Sequence, residues 1–195
     1  MRQTFFGVIV LAIAVVCMSA VPAQAGDDYS IDPVHSSVYF KISHIGLSYV
    51  FGRFNAFSGT FTIDANDASK CAFAMNIKTE TIDTNNAARD NHLRSPDFFN
   101  VKQYPSIDFK STAVKAVKDG FEVTGDLTMH GVTKPVTFTV TGGKSAEFPK
   151  GVKRTGYSTE LVLKRTDFGV GDPKLGNMLG EDVHIAISFE GTMRK

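Results

Sequence analysis

Eight times between Val38 and Phe189 the chain alternates apolar and polar side chains with period two, the spacing of an extended strand that buries one face. Val38, Phe40 and Ile42 make the first row, and Phe57, Phe61 and Ile63 the second, across Gly59. Cys71, Phe73, Met75 and Ile77 form the third, and Ile107 and Phe109 open a fourth that runs through Val114 to Asp119-Gly120. An Asp-Gly pair between alternating runs signals a tight hairpin. Phe121, Val123, Leu127 and Met129 follow it, with Gly125 relieving the curve. Pro135 opens the sixth row, of Val136, Phe138 and Val140, a strand start being where proline fits. Tyr157, Thr159, Leu161 and Leu163 make the seventh, and Val183, Ile185, Ile187 and Phe189 the eighth. This is an all-β pattern, a closed barrel or a sandwich. An open sheet of this size would leave long bare edges, and the barrel is the architecture expected. Eight strands enclose an interior just wide enough to fill with side chains or to hold one slim ligand.

One segment breaks the alternation, Asn85 to Pro105, between the third and fourth strands. Ala87, Ala88, Arg89 and Leu93 form helix readily, and Pro96 drives Ser95 out of helical geometry, so a short helix should stop there. Ser95 then caps a second turn with Pro96 in its first position. Phe98 and Phe99 sit on that turn, placed to face the interior or its mouth; neighbours on a helix point in different directions, so one of them should face it fully.

The first residues read as an address. Arg2 precedes an apolar run from Phe5 to Met18, and Ala23-Gln24-Ala25 has the small-x-small form of a secretory cleavage site, so residues 1–25 are expected to be a signal peptide cut after Ala25. The run is too short for a membrane span. Residues 26–195 are then a single exported domain. Of 21 Lys and Arg against 20 Asp and Glu, Arg2 is the excess, so the exported part is balanced and offers no field to draw nucleic acid. Cys71 is its lone cysteine, which excludes an internal disulfide.

Five blocks in order, YSIDPVHSSVYFKISHIG at 29–46, GRFNAFSGTF at 52–61, RDNHLRSPDFFNVKQYPSIDF at 89–109, GDLTMHGVTKPVTF at 125–138 and KRTDFGVG at 164–171, make the chain similar to the YceI family of polyisoprenoid-binding, lipocalin-like proteins. The resemblance implies an extended antiparallel eight-stranded barrel with a lipocalin-like interior. It implies export to the periplasm, frequent homodimers, and a long isoprenoid, quinone or fatty amide as ligand. No enzymatic activity, metal or cofactor goes with it. Some members are associated with membrane cytochromes of the b561 type, which suggests quinone handling.

Such a ligand binds by its chain. At about 0.8 kcal/mol per methylene, some forty carbons carry on the order of 30 kcal/mol of transfer energy as an upper bound, above the practical affinity ceiling of roughly 18 to 21 kcal/mol. The site should therefore be an apolar wall with selectivity set at the mouth. The wall expected on the early strands and insert is Phe40, Ile42, Phe54, Phe73, Phe98 and Phe99; on the later strands it is Phe109, Leu127, Met129, Phe138, Leu161, Leu163, Phe168, Ile187 and Phe189. Plain core packing explains inward apolar rows equally well, and the resemblance is what favours a hollow interior. Arg53, Arg89, His92 and Arg94 are candidate head-group contacts. Arg89 with His92, and Asp90 with Arg94, can share helix faces, so the same cluster can instead tie the insert to the barrel, through Asp167 or Arg165. The five His are scattered singly, without zinc spacing. Ser36 and Ser37 beside His35 lack a nucleophile elbow, and Cys71 lies in an inward row where a thiol packs inertly. Two other readings stay open: a solid structural or protein-contact barrel, and an enzyme acting on the lipid head group.

Overall fold

The computed structural model describes residues 26–176 and 178–194; the leader expected over residues 1–25 lies outside the described residues. In chain order the strands are β1 (Asp27–His44), β2 (Ser48–Phe54), β3 (Phe57–Ile63), β4 (Ala72–Lys78), β5 (Ile82–Asp83), β6 (Ser106–Val117), β7 (Gly120–Met129), β8 (Val132–Glu147), β9 (Lys153–Lys164) and β10 (Leu179–Met193), with helix α1 (Ala87–Arg94) between β5 and β6. Every pairing is antiparallel, and β10 returns to β1 to close the circuit. β2 and β3 are two halves of one broken strand: β2 pairs with β1 from Val38↔Phe54 to His44↔Ser48, β3 from Asp27↔Ile63 to Ser30↔Thr60. The two-residue β5 only extends β2, through Arg53↔Asp83 and Phe54↔Ile82. The architecture is thus an eight-stranded antiparallel closed barrel with a short helical insertion.

The switch of partners along β1 has a local cause. The β1–β10 register slips between Asp32 and Ser37, where Pro33 cannot donate to a ladder. Asp32 accepts the Val34 amide at 2.9 Å, while the Ser36 hydroxyl donates to the Asp32 carbonyl at 2.6 Å and accepts the Glu190 amide at 3.1 Å, repairing the ladder around the bulge. Ser36 is thereby fully engaged in backbone bonding. Asp32 also receives Arg154 Nη1 at 2.6 Å and meets His35 Nδ1 at 2.8 Å; these bonds hold its carboxyl well below the usual carboxylate range.

Three elements differ from the sequence reading. β2, SYVFGRF, was not among the expected rows, because its apolar residues occupy both faces: Tyr49 and Phe51 lie outside while Phe54 is buried. Pro135 lies inside β8, opposite Asp126, rather than at its start. β8 bonds to β9 only from Val140↔Thr159 to Glu147↔Lys153, so Pro135 sits on a stretch whose second edge is bare and where a missing N–H is tolerated. The segment after Ser95 is a run of turns and not a second helix, although Ser95 does cap it, its Oγ accepting the Asp97 amide at 3.3 Å.

The interior divides in two. At the end built by Gly26, the β6–β7 turn and the β8–β9 turn, Tyr29, Phe61, Phe73, Tyr157 and Phe189 pack into one buried cluster with Phe121 against it. Tyr29 stacks on Phe61 at 5.0 Å and Phe61 meets Phe189 edge-on at 5.4 Å, geometries that add to plain area burial. Cys71 is in the same cluster, and burial pushes its thiol pKa up. The opposite half is splayed, with β2 unpaired beyond β5 on one side and β8 parted from β9 on the other.

Candidate functional site

The splayed half holds a cavity of about 530 Å³, within the roughly 300 to 1,000 Å³ typical of small-molecule sites. Its wall comes from alternate residues of nearly every strand, among them Phe40 and Ile42 on β1, Met75 and Ile77 on β4, Ile107 and Phe109 on β6, and Leu161 and Leu163 on β9. Phe61, Phe73 and Phe189 form its floor, the upper surface of the aromatic cluster. Close approach of rings to backbone shapes the wall. A Cβ on Gly52 would stand 2.3 Å from the Phe40 ring and one on Gly125 2.5 Å from that of Phe109, so these glycines are the seats on which the two rings lie. Gly125 also faces the β6 irregularity between Ser111 and Ala113, where the sheet bends.

Fourteen of the fifteen expected wall residues line this one cavity: Phe40, Ile42, Phe54, Phe73, Phe98, Phe99, Phe109, Leu127, Met129, Phe138, Leu161, Leu163, Ile187 and Phe189. Both Phe98 and Phe99 line it, where only one was expected to face it fully, because they sit on a turn rather than a helix. Phe54 meets Phe99 edge-on at 5.8 Å and joins β2 to the insert. Phe168 is the exception. It is buried but does not line the cavity; it packs where β8 and β9 part, beneath Lys134, whose ammonium lies 6.0 Å above its ring and 3.4 Å from Asp167.

The polar candidates separate in the same way. Arg89 and His92 line the cavity, whereas Arg53 and Arg94 do not. Arg53 is on the outer face, 3.2 Å from Asp83. Arg94 donates to the carbonyls of Glu80 and Ile82, both at 2.7 Å, and pins α1 to the segment before it. Buried Asp90 accepts the Thr84 amide at 2.9 Å, and Arg89 donates to the Thr84 hydroxyl and carbonyl, both at 2.7 Å. His92 sits 3.0 Å from Asp97 and edge-on to Phe98 at 5.0 Å. The cluster therefore braces the insert internally, and neither Asp167 nor Arg165 is its anchor.

Arg165 instead has a place that sequence did not reveal. Only 3% exposed, it lines the cavity and donates to the carbonyls of Gly180, Val170 and Gly171 at 3.0, 3.0 and 3.2 Å. Its Nη2 has no hydrogen-bond partner, and burial lowers its pKa. The sequence offers it only as a candidate anchor for the insert; the link between β9 and β10 is what brings those carbonyls around it. Among the described residues no Asp or Glu lines the cavity, while His44, Arg89, His92 and Arg165 do. The one group of three candidate metal ligands among the described residues, Asp32, His35 and Glu190, lies outside the cavity, and Arg154 Nη1 already contacts both carboxylates, at 2.6 and 3.4 Å.

Comparison with known proteins agrees with this geometry. Residues 29–191 match the family model described as YceI-like domain. Protein YceI of Escherichia coli is 40% identical, with all of both chains covered. The crystal structure of Burkholderia cenocepacia BcnA superposes with a TM-score of 0.75 at 24% identity, over 82% of this chain and 98% of that one. A polyisoprenoid binding domain from Saccharophagus degradans shares the fold at 17% identity, with a TM-score of 0.64 over 88% of this chain and 100% of that one.

Proposed function

The chain belongs to the YceI family, and from that premise we propose that it carries a long isoprenoid or a similar amphiphile, such as a quinone or fatty amide, tail-down in its apolar cavity. At the coarser level it is a periplasmic, lipid- or isoprenoid-binding barrel of a non-catalytic family. The observation that carries the finer reading is the cavity itself: hollow, walled by Phe, Leu, Ile and Met, and free of Asp and Glu among the described residues. Its apolar lining suits a hydrocarbon chain, and Arg89, His92 and Arg165 among that lining suit a head group with oxygen acceptors, a pyrophosphate, carbonyl or hydroxyl. The wall supplies the affinity and the mouth the choice of ligand. The likeness to the polyisoprenoid binding domain of Saccharophagus degradans supports the same reading. A second copy of the chain and a membrane cytochrome of the b561 type, as partners, follow from the family resemblance alone and are part of this proposal.

Native mass spectrometry of the purified protein, with organic extraction of what it holds, tests the reading. A long-chain adduct is expected on the wild type, and none on Leu127→Asp or Phe109→Asp, each of which puts a charge into the wall. A wild type that carries no adduct and takes up no prenyl probe would end the proposal in favour of a structural barrel.

A further inference from the structure

Five of the ten large apolar side chains that the described barrel leaves in water gather at one place, while Val34, Val117 and Phe148 are exposed elsewhere. Leu47 is 82% exposed, Phe51 66%, Tyr49 51% and Ile45 47%, and all four belong to the β1–β2 hairpin. Exposed Met178 is tied to the tip, its carbonyl accepting the Ile45 amide at 2.9 Å. Val50 and Met178 also line the cavity, so the exposed patch is continuous with the cavity wall at the mouth. The tip is held against its conformational preference. Ile45 has φ +46° and Gly46 φ +69°; positive φ is unfavourable for a β-branched residue, and Asn or Asp would relax the first position. A strained turn that displays an isoleucine to water points to a role outside folding.

Charge follows the same outline. From Pro33 to Ile63 the chain has no Asp or Glu, but it has Lys41 and Arg53. Arg53 is matched by Asp83 at 3.2 Å. Lys41 lies 4.9 Å above the Tyr49 ring and has no carboxylate partner among the described residues. His184 stands edge-on to Tyr49 at 6.3 Å. Of the acids on the neighbouring strands, Glu181 and Asp182 are each 3.4 Å from Lys164, and Glu160 borders the shallow outer groove that Lys41 and His184 share.

We infer that the β1–β2 hairpin docks the protein on an anionic bilayer surface, with the cavity mouth turned to the lipid. Leu47, Ile45 and Met178 suit the acyl boundary, Tyr49 and Phe51 the interface, and Lys41 the anionic head groups. A second copy suits this surface less well, since a two-fold contact sets a patch against itself and brings two unmatched lysines together. The inference rests on the carrier reading: a ligand of that kind leaves a membrane most easily where the door touches it.

Flotation of the purified protein with vesicles of phosphatidylethanolamine and phosphatidylglycerol, beside vesicles of phosphatidylcholine alone, reads this directly. Binding is expected to the phosphatidylglycerol vesicles and to weaken with salt. Leu47→Asp and Phe51→Asp should each lower it by about tenfold or more, and Lys41→Glu should lower it too. Leu47 and Phe51 are exposed, so the unfolding midpoint of their variants should stay put. The same variants should bind a soluble prenyl probe as the wild type does without vesicles; a wild type that fails to bind that probe removes the carrier reading on which the inference rests. Equal binding to both vesicle types, or undiminished binding by the Leu47 and Phe51 variants, overturns the docking inference. So does a stable dimer in sedimentation that those variants dissociate.

Discussion

Asp32 and Arg165 hold the two ends of the barrel wall by opposite means. Asp32 is a carboxylate saturated with donors, from Arg154, His35 and the Val34 amide, at the bulge where β1 changes partner. Its pKa is depressed in the fold, so the stability it contributes is present above the unfolded value of about 3.9 and is lost as pH falls below it. Asp32→Asn should therefore unfold at lower denaturant than wild type at pH 7, and the gap should narrow as pH falls from about 4 towards 2. A gap of constant size across that range would mean that the carboxylate's charge is not what holds the bulge. Arg165 is a guanidinium whose Nε and Nη1 donate only to backbone carbonyls, while its Nη2 has no partner. Its planar fork reaches those carbonyls from two separate nitrogens, where a lysine offers its donors from a single point.

The insert shows how elements, rather than single residues, shape the mouth. It leans on the barrel through Phe54, Phe98 and Phe99 and is braced internally by Arg89, Asp90 and Arg94. Arg94→Ala removes the bonds to Glu80 and Ile82 without touching the cavity. Amide exchange should then quicken in α1 and a bound prenyl probe should leave faster, while the barrel strands stay protected; unchanged exchange in α1 would show that the brace lies elsewhere. Much of this level was legible in the sequence. The alternating rows were, because a strand with one wet face writes period two into its residues. β2 was not, since Tyr49 and Phe51 are apolar on the wet face and erase the contrast. The wall residues were legible for the same reason as the strands. Phe168 was misplaced, because whether a residue after β9 faces the cavity or the gap beside it depends on where β8 and β9 stop pairing, a non-local fact. Arg165 was missed because its burial depends on carbonyls six and fifteen residues away.

At the scale of the whole molecule, filling the cavity should couple to folding. A ligand bound only by the native barrel stabilises it by mass action, about 2.7 kcal/mol at a free concentration one hundred times its dissociation constant. The unfolding midpoint of the wild type should thus climb with prenyl probe concentration, and that of Leu127→Asp should not. A midpoint indifferent to the probe would place any binding outside the native interior. The same interior ends on closely packed rings, Tyr29, Phe61, Phe73 and Phe189, and this gives traffic through the molecule a direction. A cul-de-sac admits its guest one way round: the hydrocarbon goes in first and comes out last, with the polar terminus waiting at the threshold. Handover to an acceptor must then begin with the terminus and draw the rest after it, and any guest too long for the depth has to leave its surplus outside.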